Sequence, residues 1–402
     1  MLEEHLAQPP GLILLGPRQV GKTTLLESIL KAKKPWLITL SDYSVFQSYL
    51  KDSGLFRRQA QSKLDALKPS QSLSVFIDEI QKLPQLLDDC QSLYDHNKKR
   101  FKLIATGSSA RKLKRAQANL LPGRVIVKNL HPLLWQEMGI AVPDPDLSPF
   151  ALVVAHARMT RPKEENFLFW GSLPGILSGP PQTRAPLLQS YALTYLKEEI
   201  QAEALVRSLD GFSRFIELAA LESGNTTNYQ KLAKDVGLRL NTVKNYYSIL
   251  VDTLIAIPLE PYLRNARKRL IATPKLYFFD IGVRNAAASM PFEEGLVKLD
   301  GGRLFEHWVI LELFRRFDYF KPDYKMYFWR TAAGAEVDLV VDTKNGLIPI
   351  EIKFADSTAN IKLTNLVSFM DEYNCPKGYV VGNFRQPEKL GKSIQAIPWW
   401  LF

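Results

Sequence analysis

Gly11-Leu-Ile-Leu-Leu-Gly16-Pro-Arg-Gln-Val-Gly21-Lys22-Thr23-Thr24 decides how the first part of the chain folds. The run that begins at Gly11 is apolar and short, as suits a buried strand. It stops at the loop Gly16-Pro17-Arg18-Gln19-Val20-Gly21, and a helix-like stretch follows from Lys22 to about residue 33. The pattern G-x-x-x-x-G-K-[ST] between a strand and a helix is a phosphate loop. Glycines let backbone N–H groups turn inward around an anion, and the following helix points its positive end at the same place. Lys22 is expected to reach the β- and γ-phosphates of ATP and Thr23 to hold Mg²⁺ through its hydroxyl. Thr24 completes the expected cofactor-binding set.

Further strand-like runs at 36–40, 73–77 and 102–106 alternate with helical or polar stretches. Such alternation indicates an α/β fold with a parallel sheet wrapped by helices. The run Leu73-Ser-Val-Phe-Ile-Asp78-Glu79 ends in two carboxylates, at the edge where a parallel sheet presents its ligands. Asp78 is expected to position the Mg²⁺ shell, and Glu79 to orient and deprotonate the attacking water. The third run ends in Thr106-Gly-Ser108-Ser109, where Ser108 or Thr106 would contact the γ-phosphate or the water. A plain strand-terminal turn explains those two residues equally well.

On these residues the chain resembles the AAA-type (AAA+) ATPases, specifically a bacterial and archaeal family of small ATPases. The matching stretches also include Leu121-Pro-Gly-Arg124, Trp170-Gly-Ser-Leu-Pro174 and Pro274-Lys-Leu-Tyr-Phe-Phe-Asp-Ile-Gly282. The resemblance implies ATP hydrolysis and self-association into a ring or other oligomer. It puts Arg124 where the family carries an arginine finger or sensor, although an ordinary surface arginine reads the same.

The 402 residues suggest two or three domains at roughly 150 residues each. With 52 Lys+Arg against 41 Asp+Glu the net charge is +11, which favours an acidic partner such as nucleic acid. Two cysteines, Cys90 and Cys375, make no disulfide framework, and no Cys/His cluster has zinc spacing. No apolar run approaches the roughly 18 residues that span a bilayer, and the N-terminus does not read as a signal peptide. The expectation is a cytoplasmic protein with no membrane role. Between His96 and Gln136 there is no Asp or Glu but there are ten Lys or Arg, a stretch that tracks a phosphate backbone or forms a solvated face.

Tyr229-Gln-Lys-Leu-Ala-Lys-Asp-Val236 reads as a short helix ended by Gly237. Asn241 is expected to cap a second helix with Val243, Tyr247 and Leu250 on its buried side. Lys244, Asn245 and Ser248 lie on the other side, as candidate DNA-binding residues of a helix-turn-helix. The cluster Arg264, Arg267, Lys268, Arg269 and Lys275 adds positive charge downstream.

The last hundred residues carry Asp338 in Gly334-Ala-Glu-Val-Asp338, and Glu351 and Lys353 in Ile348-Pro-Ile-Glu351-Ile-Lys353. Asn345-Gly346 between them is a strong hairpin signal. A two-residue turn there pairs positions that sum to 691 and sets Asp338 opposite Lys353, with Glu351 on the same face. Two carboxylates in reach of one Mg²⁺, or of Mn²⁺ instead, and a lysine that orients or deprotonates water form a hydrolytic set. This pattern resembles the PD-(D/E)xK nuclease superfamily, whose first helix usually contributes a glutamate. Here that position is Glu306. Val337 stands where the superfamily pattern has proline.

The expected organisation is a P-loop AAA+ domain over 1–140, a helical lid with a winged helix-turn-helix over 141–260, and a connector over 261–300. A PD-(D/E)xK restriction-endonuclease-like α/β domain would follow over 301–402. The expected function is ATP hydrolysis by a protein acting on DNA, with metal-dependent cleavage at Glu306, Asp338, Glu351 and Lys353. Two alternatives are a nucleotide-switched regulator whose nuclease-like domain only binds, and an ATP-driven DNA junction motor.

Overall fold

The computed structural model describes residues 11–97, 100–108, 121–140, 144, 146, 148–150, 164–196, 209–263 and 272–402. The chain divides into two compact units. The first comprises 1–131 with 248–255, and the second 132–247 with 256–402.

The first unit is built on strands β1 (Gly11–Leu15), β2 (Trp36–Thr39), β3 (Leu73–Asp78), β4 (Phe101–Gly107) and β5 (Val125–Asn129). They lie in the order β2-β3-β4-β1-β5, every neighbouring pair parallel. Side chains alternate between the faces of a strand, and both faces here are covered. Leu12, Leu14, Phe76 and Ile104 pack with Leu26 and Leu30 of the helix Lys22–Leu30. Ile13, Leu15, Val75, Ile77 and Leu103 pack on the other side with Phe56, Ala60, Leu64 and Leu87, from the helices Leu55–Asp65 and Leu86–His96. This two-sided burial is why β1, β3 and β4 read as unbroken apolar runs. Strand β5 had no such signal, since its residues are only partly covered or exposed.

The second unit holds an eight-stranded mixed sheet in the order β12-β13-β11-β10-β9-β8-β6-β7. Its strands are β6 (Ala256–Pro261), β7 (Lys275–Phe278), β8 (Lys325–Arg330), β9 (Glu336–Thr343), β10 (Gly346–Lys353), β11 (Gly378–Gly382), β12 (Glu388–Lys389) and β13 (Ile394–Pro398). The 27-residue helix Glu294–Phe320 covers one face, where Trp308, Val309 and Leu311 meet Leu339, Val341, Ile350, Ile352 and Val381. The helix Thr364–Tyr373 covers the other, with Leu366 and Phe369 against Val337, Val340 and Val380. The segment 261–300, expected as a connector, contributes β7 and the fully buried helix Ile281–Ala287 to this unit.

Two glycines in the stretches that carried the family resemblance are packing devices. A Cβ on Gly282 would meet the Trp170 carbonyl oxygen at 2.4 Å. Gly171, with φ 67°, would put its Cβ 2.2 Å from the Asp280 carboxylate, which instead accepts the Ser172 N–H at 2.7 Å and caps the helix Ile281–Ala287. The adjacent charges are likewise internal. Arg315 donates to Ser172 Oγ and the Phe279 carbonyl, and Arg316 donates to Glu312 and the Phe402 carbonyl.

Between the two sheets in sequence run the helices Leu209–Leu221, Tyr229–Val236 and Leu240–Asp252, followed by the antiparallel pair β6–β7. Gly237 ends the second helix with φ 68°, as expected. Val243, Tyr247 and Leu250 are buried, while Lys244, Asn245 and Ser248 are exposed. Asn241 is not a cap, because the third helix already begins at Leu240. The cap is found instead on the second helix, where Asn228 Oδ1 accepts the Lys231 N–H.

Candidate functional sites

In the first unit the loop after β1 is shaped by its glycines. A Cβ on Gly16 would meet the Leu130 carbonyl oxygen at 2.3 Å, and Gly21 takes φ 91° immediately before the helix. Gln19 also adopts a positive φ, 60°. The helix begins with no side-chain cap and no acidic residue in its first turn, so its leading N–H groups and positive end face the loop uncompensated. Lys22 is buried, and its Nζ donates to the carbonyls of Gly16 and Pro17 at 2.9 and 2.8 Å, which holds the ammonium inside the loop. Thr24 is exposed at the helix start. These groups fit a nucleotide phosphate.

At the end of β3, Asp78 Oδ1 accepts hydroxyl hydrogen bonds from Thr23 at 2.8 Å and Thr106 at 2.5 Å. Thr23 and Asp78 thus form a compact oxygen pair suited to one hard divalent cation. Glu79 sits in the left-handed region, φ 61° and ψ 45°, sparsely populated by residues with a side chain. Its N–H donates to Thr106 Oγ1 at 3.0 Å. Gln81, which the motif reading passed over, bridges the rest. Its Nε2 donates to Glu79 Oε2 and to Ser108 Oγ, the latter at 2.9 Å. The structure therefore joins Thr23, Asp78, Glu79, Thr106 and Ser108 in one network.

Arg124 is not part of it. The Arg124 carbonyl accepts the N–H of Gly11, at the start of β1, whereas the phosphate loop follows the end of that strand. Its guanidinium pairs with Asp95 at 2.7 and 2.9 Å, and this pairing raises its pKa. Arg100, from the basic stretch, donates to the carbonyls of Leu64 and Leu67 and so supports the end of a helix. Lys98, Lys99, Arg111, Lys112, Lys114 and Arg115 lie outside the described residues, as do Arg264, Arg267, Lys268 and Arg269.

The second constellation lies on β9 and β10. Thr343 pairs with Gly346 and Leu339 with Ile350, so paired positions sum to 689 rather than 691. The turn is Lys344-Asn345, and Gly346, at φ 115°, opens β10. Thr343 fixes it by accepting the Asn345 N–H and donating to the Gly346 carbonyl. A shift of two preserves the faces, and it brings Asp338 level with Glu351 instead of Lys353. Opposite β8 the register slips between Tyr327 and Trp329, so Asp338 and Leu339 together oppose Phe328. Bulges of this kind redirect side chains next to functional sites. Here the Asp338 carboxylate accepts the Ile352 N–H at 2.7 Å.

Lys353 Nζ lies 2.6 Å from Glu351 Oε1 and 3.4 Å from Asp338 Oδ2. Burial, and next the Asp338 charge, push the Glu351 carboxyl up to about 7. Its Oε2 is buried and accepts no hydrogen bond. Burial pulls the Lys353 ammonium down, but Asp338 and Glu351 outweigh it and its pKa ends above the ordinary value. Lys353 is thereby held protonated. Glu306 joins from the long helix, its carboxyl raised by burial and then by Asp338.

Three further residues belong to this site, of which the sequence had marked only Lys275, as part of a positive cluster rather than as a lysine buried between carboxylates. Lys275 Nζ, 5 % exposed, pairs with Glu306 at 3.2 Å and Glu336 at 2.7 Å. Tyr277 donates its hydroxyl to Glu306 Oε1 at 2.8 Å. Lys275 and Tyr277 are two apart on β7, inside a stretch already conspicuous in the sequence, and that spacing was the signal for a shared face. Among the described residues no three or more His, Cys, Asp or Glu side chains gather to hold a metal ion. The candidate is therefore the pair Asp338 and Glu351, and the unpartnered Glu351 oxygen fits that use.

Comparison with known proteins divides the chain in three. Residues 8–139 match the AAA domain family, and residues 161–294 and 301–402 match two families described as domains of unknown function. Proteins of Mycobacterium tuberculosis and Mycobacterium bovis, both described as uncharacterized, are each 24 % identical over 99 % of this chain and 82 % of their own length. A Walker-type ATPase of Pyrococcus abyssi is 16 % identical, covering 71 % of this chain and 93 % of that one, with a TM-score of 0.45. The RuvB Holliday junction branch migration motor of Thermotoga maritima is 15 % identical, covering 74 % and 89 %, with a TM-score of 0.27. With the phosphate loop and its carboxylates in place, the first unit carries the parallel-sheet, P-loop ATPase-like fold that its match to the AAA domain family implies. No helix among the described residues is long and apolar enough to cross a membrane.

Proposed function

We propose that the chain hydrolyses ATP in its first unit and cuts DNA in its second, through a PD-(D/E)xK-type domain that follows a winged helix-turn-helix. The observation that carries the cleavage reading is the meeting of Asp338, Glu351 and Lys353 around a Glu351 oxygen that has no partner. The order of helix, three antiparallel strands, helix and parallel strand from 294 to 382 supports the domain type.

For ATP, Lys22 and the loop N–H groups would bind the phosphates, Thr23 and Asp78 would hold Mg²⁺, and Glu79 is placed to take the proton of the attacking water. Gln81 fixes the Glu79 carboxylate against Ser108. For DNA, Asp338 and Glu351 would hold Mg²⁺ or Mn²⁺, which supplies Lewis-acid charge to the scissile phosphate and its attacking water. Lys353, kept protonated by its two carboxylates, orients the phosphate and does not act as the base. Glu306 is positioned by Lys275 and Tyr277. Lys244, Asn245 and Ser248 remain the proposed duplex-contacting residues, and self-association remains proposed for the ATPase unit.

The two paired ammonium groups favour a second reading. Lys275 and Lys353 already balance much of the carboxylate charge, as befits a domain that binds DNA under ATP control without cutting it. Phosphate release and DNA cleavage measured side by side decide between the readings. Wild type, Glu79→Gln and Asp338→Ala would be given linear, branched and single-stranded DNA, with and without ATP and metal. Cleavage lost only in Asp338→Ala supports the first reading. ATP-dependent binding that survives Asp338→Ala, with no cutting by any form, supports the second.

A further inference from the structure

Three hollows in the second unit adjoin one another. The first, about 150 Å³, lies against Glu306 and Glu336 and is lined by Lys275, Arg303 and Arg330. The second, about 340 Å³, shares Asn225, Thr226 and Arg330 with it. The third, about 520 Å³, shares Thr226 and Asn228 with the second and reaches Lys244 on the helix Leu240–Asp252. An isolated bridge between Thr226 and Lys275 ties the turn before the helix Tyr229–Val236 to β7. Glu306 and Glu336 at one end and Lys244 at the other thus lie along one run of adjoining hollows, a groove.

The chemistry changes along it. Lys275 is buried in the smallest hollow between Glu306 and Glu336, whereas Arg303, paired with Asp300, and Arg330, 3.7 Å from Glu336, are about half exposed. Guanidinium groups bind phosphate oxygens in paired geometry. In the second hollow Leu218 and Leu232 give an apolar wall, while Glu222, Asn225, Asn228 and Asp235 line it with hydrogen-bonding groups. Carboxylates repel a phosphate, but they accept from the amino groups of bases, and Asn pairs with base edges. Cavities of roughly 300–1,000 Å³ suit a small organic group, so the second and third hollows each suit a single nucleotide rather than a convex duplex.

We propose that this groove threads a single polynucleotide strand, with one phosphate at the half-exposed Arg303 and Arg330 and the adjoining base in the hollow of Glu222, Asn225 and Asp235. The inference rests on the reading of Glu306 and Asp338 as a cleavage site, since it places the strand that would enter it. Arg330, which lines two of the hollows, is the phosphate contact between base pocket and carboxylates. Lys231, exposed on the helix beside the second hollow, tracks the same backbone.

The test is fluorescence anisotropy with the full chain carrying Asp338→Ala, so that bound strands stay whole. The probes are a labelled single-stranded DNA, an RNA of the same sequence and the matching duplex, over a range of salt. Arg330→Glu and Lys231→Glu are each expected to weaken single-strand binding about tenfold and to lower the log–log salt slope by about 1. Lys389→Glu, outside the groove on β12, is expected to change neither. Equal binding of DNA and RNA strands assigns the groove to the backbone and base edges, and a preference names which strand it takes. Unchanged affinity and slope in both variants, or a duplex bound more tightly than either strand, overturns the proposal. If the unmutated chain cuts nothing while the groove variants lose binding, the cleavage reading fails and the groove stands. If it cuts but the variants bind and cut as the parent does, the groove fails alone.

Discussion

Replacing Glu351 with Gln should make the protein more stable at pH 8 and leave it nearly unchanged at pH 5. Burial and the neighbouring Asp338 push the Glu351 carboxyl from 4.5 to about 7. Between those values the folded chain binds more protons at this site than the unfolded chain does, so stability is full below pH 4.5 and is lost as pH rises through 7. At 1.36 kcal/mol per pKa step, the ionised carboxylate costs about 3 kcal/mol at pH 8. The amide of Gln avoids that cost. It puts an unpartnered donor where Oε2 was buried, worth about 1 kcal/mol against it. The expected net change is a gain of about 2 kcal/mol at pH 8 and close to none at pH 5, where the wild-type carboxyl already costs about 1 kcal/mol. Urea unfolding followed by tryptophan fluorescence suits the test, because six of the seven Trp residues lie in the second unit and only Trp36 in the first. Saturating Mg²⁺ adds a second reading, since an ion at 100 times its Kd stabilises by about 2.7 kcal/mol and should do so in wild type only. The same destabilisation at both pH values would refute the reasoning, because it would mean that Glu351 is an ordinary paired carboxylate.

Other expectations concern the ATPase unit. Lys22→Ala should abolish nucleotide binding measured by calorimetry, whereas Glu79→Gln should bind and not turn over; unaltered hydrolysis in both would remove the assignment. Gln81→Ala should lower kcat on the order of tenfold, less than loss of the base itself, with nucleotide affinity unchanged, and an equal loss of affinity would show that Gln81 merely supports the fold. Arg124→Ala should leave the nucleotide Kd of the unassembled chain at its wild-type value, since Arg124 pairs with Asp95 at the opposite end of the strand array; a weakened Kd would place it in its own nucleotide site.

The nucleotide site was legible because its parts are contiguous. Gly16 to Thr24 bind through backbone shape, and β1 and β3 are buried on both faces, so the apolar runs and their terminal carboxylates stand out. Gln81 was not legible, since only the fold of Glu79 into the left-handed region and the approach of Ser108 give it a role. In the second unit the hairpin and its three polar residues were readable, but the register was not. Asn-Gly signals a turn at 345–346, yet Gly346 uses its positive φ at the strand start and Thr343 closes the turn one residue earlier than expected. The error was harmless because it was even. The roles of Lys275, Tyr277 and Glu336 were hidden for another reason: β7 and the long helix meet only through tertiary packing. The strand β7 itself was masked by a segment that reads as a connector.

Incubation of wild type with labelled DNA in Mn²⁺, beside Asp338→Ala, bears most directly on the central claim. Linear, branched and single-stranded substrates would be resolved on a denaturing gel. Shortened products from wild type and none from Asp338→Ala are predicted. Intact DNA in every lane with wild type, or equal cutting by both proteins, would contradict it.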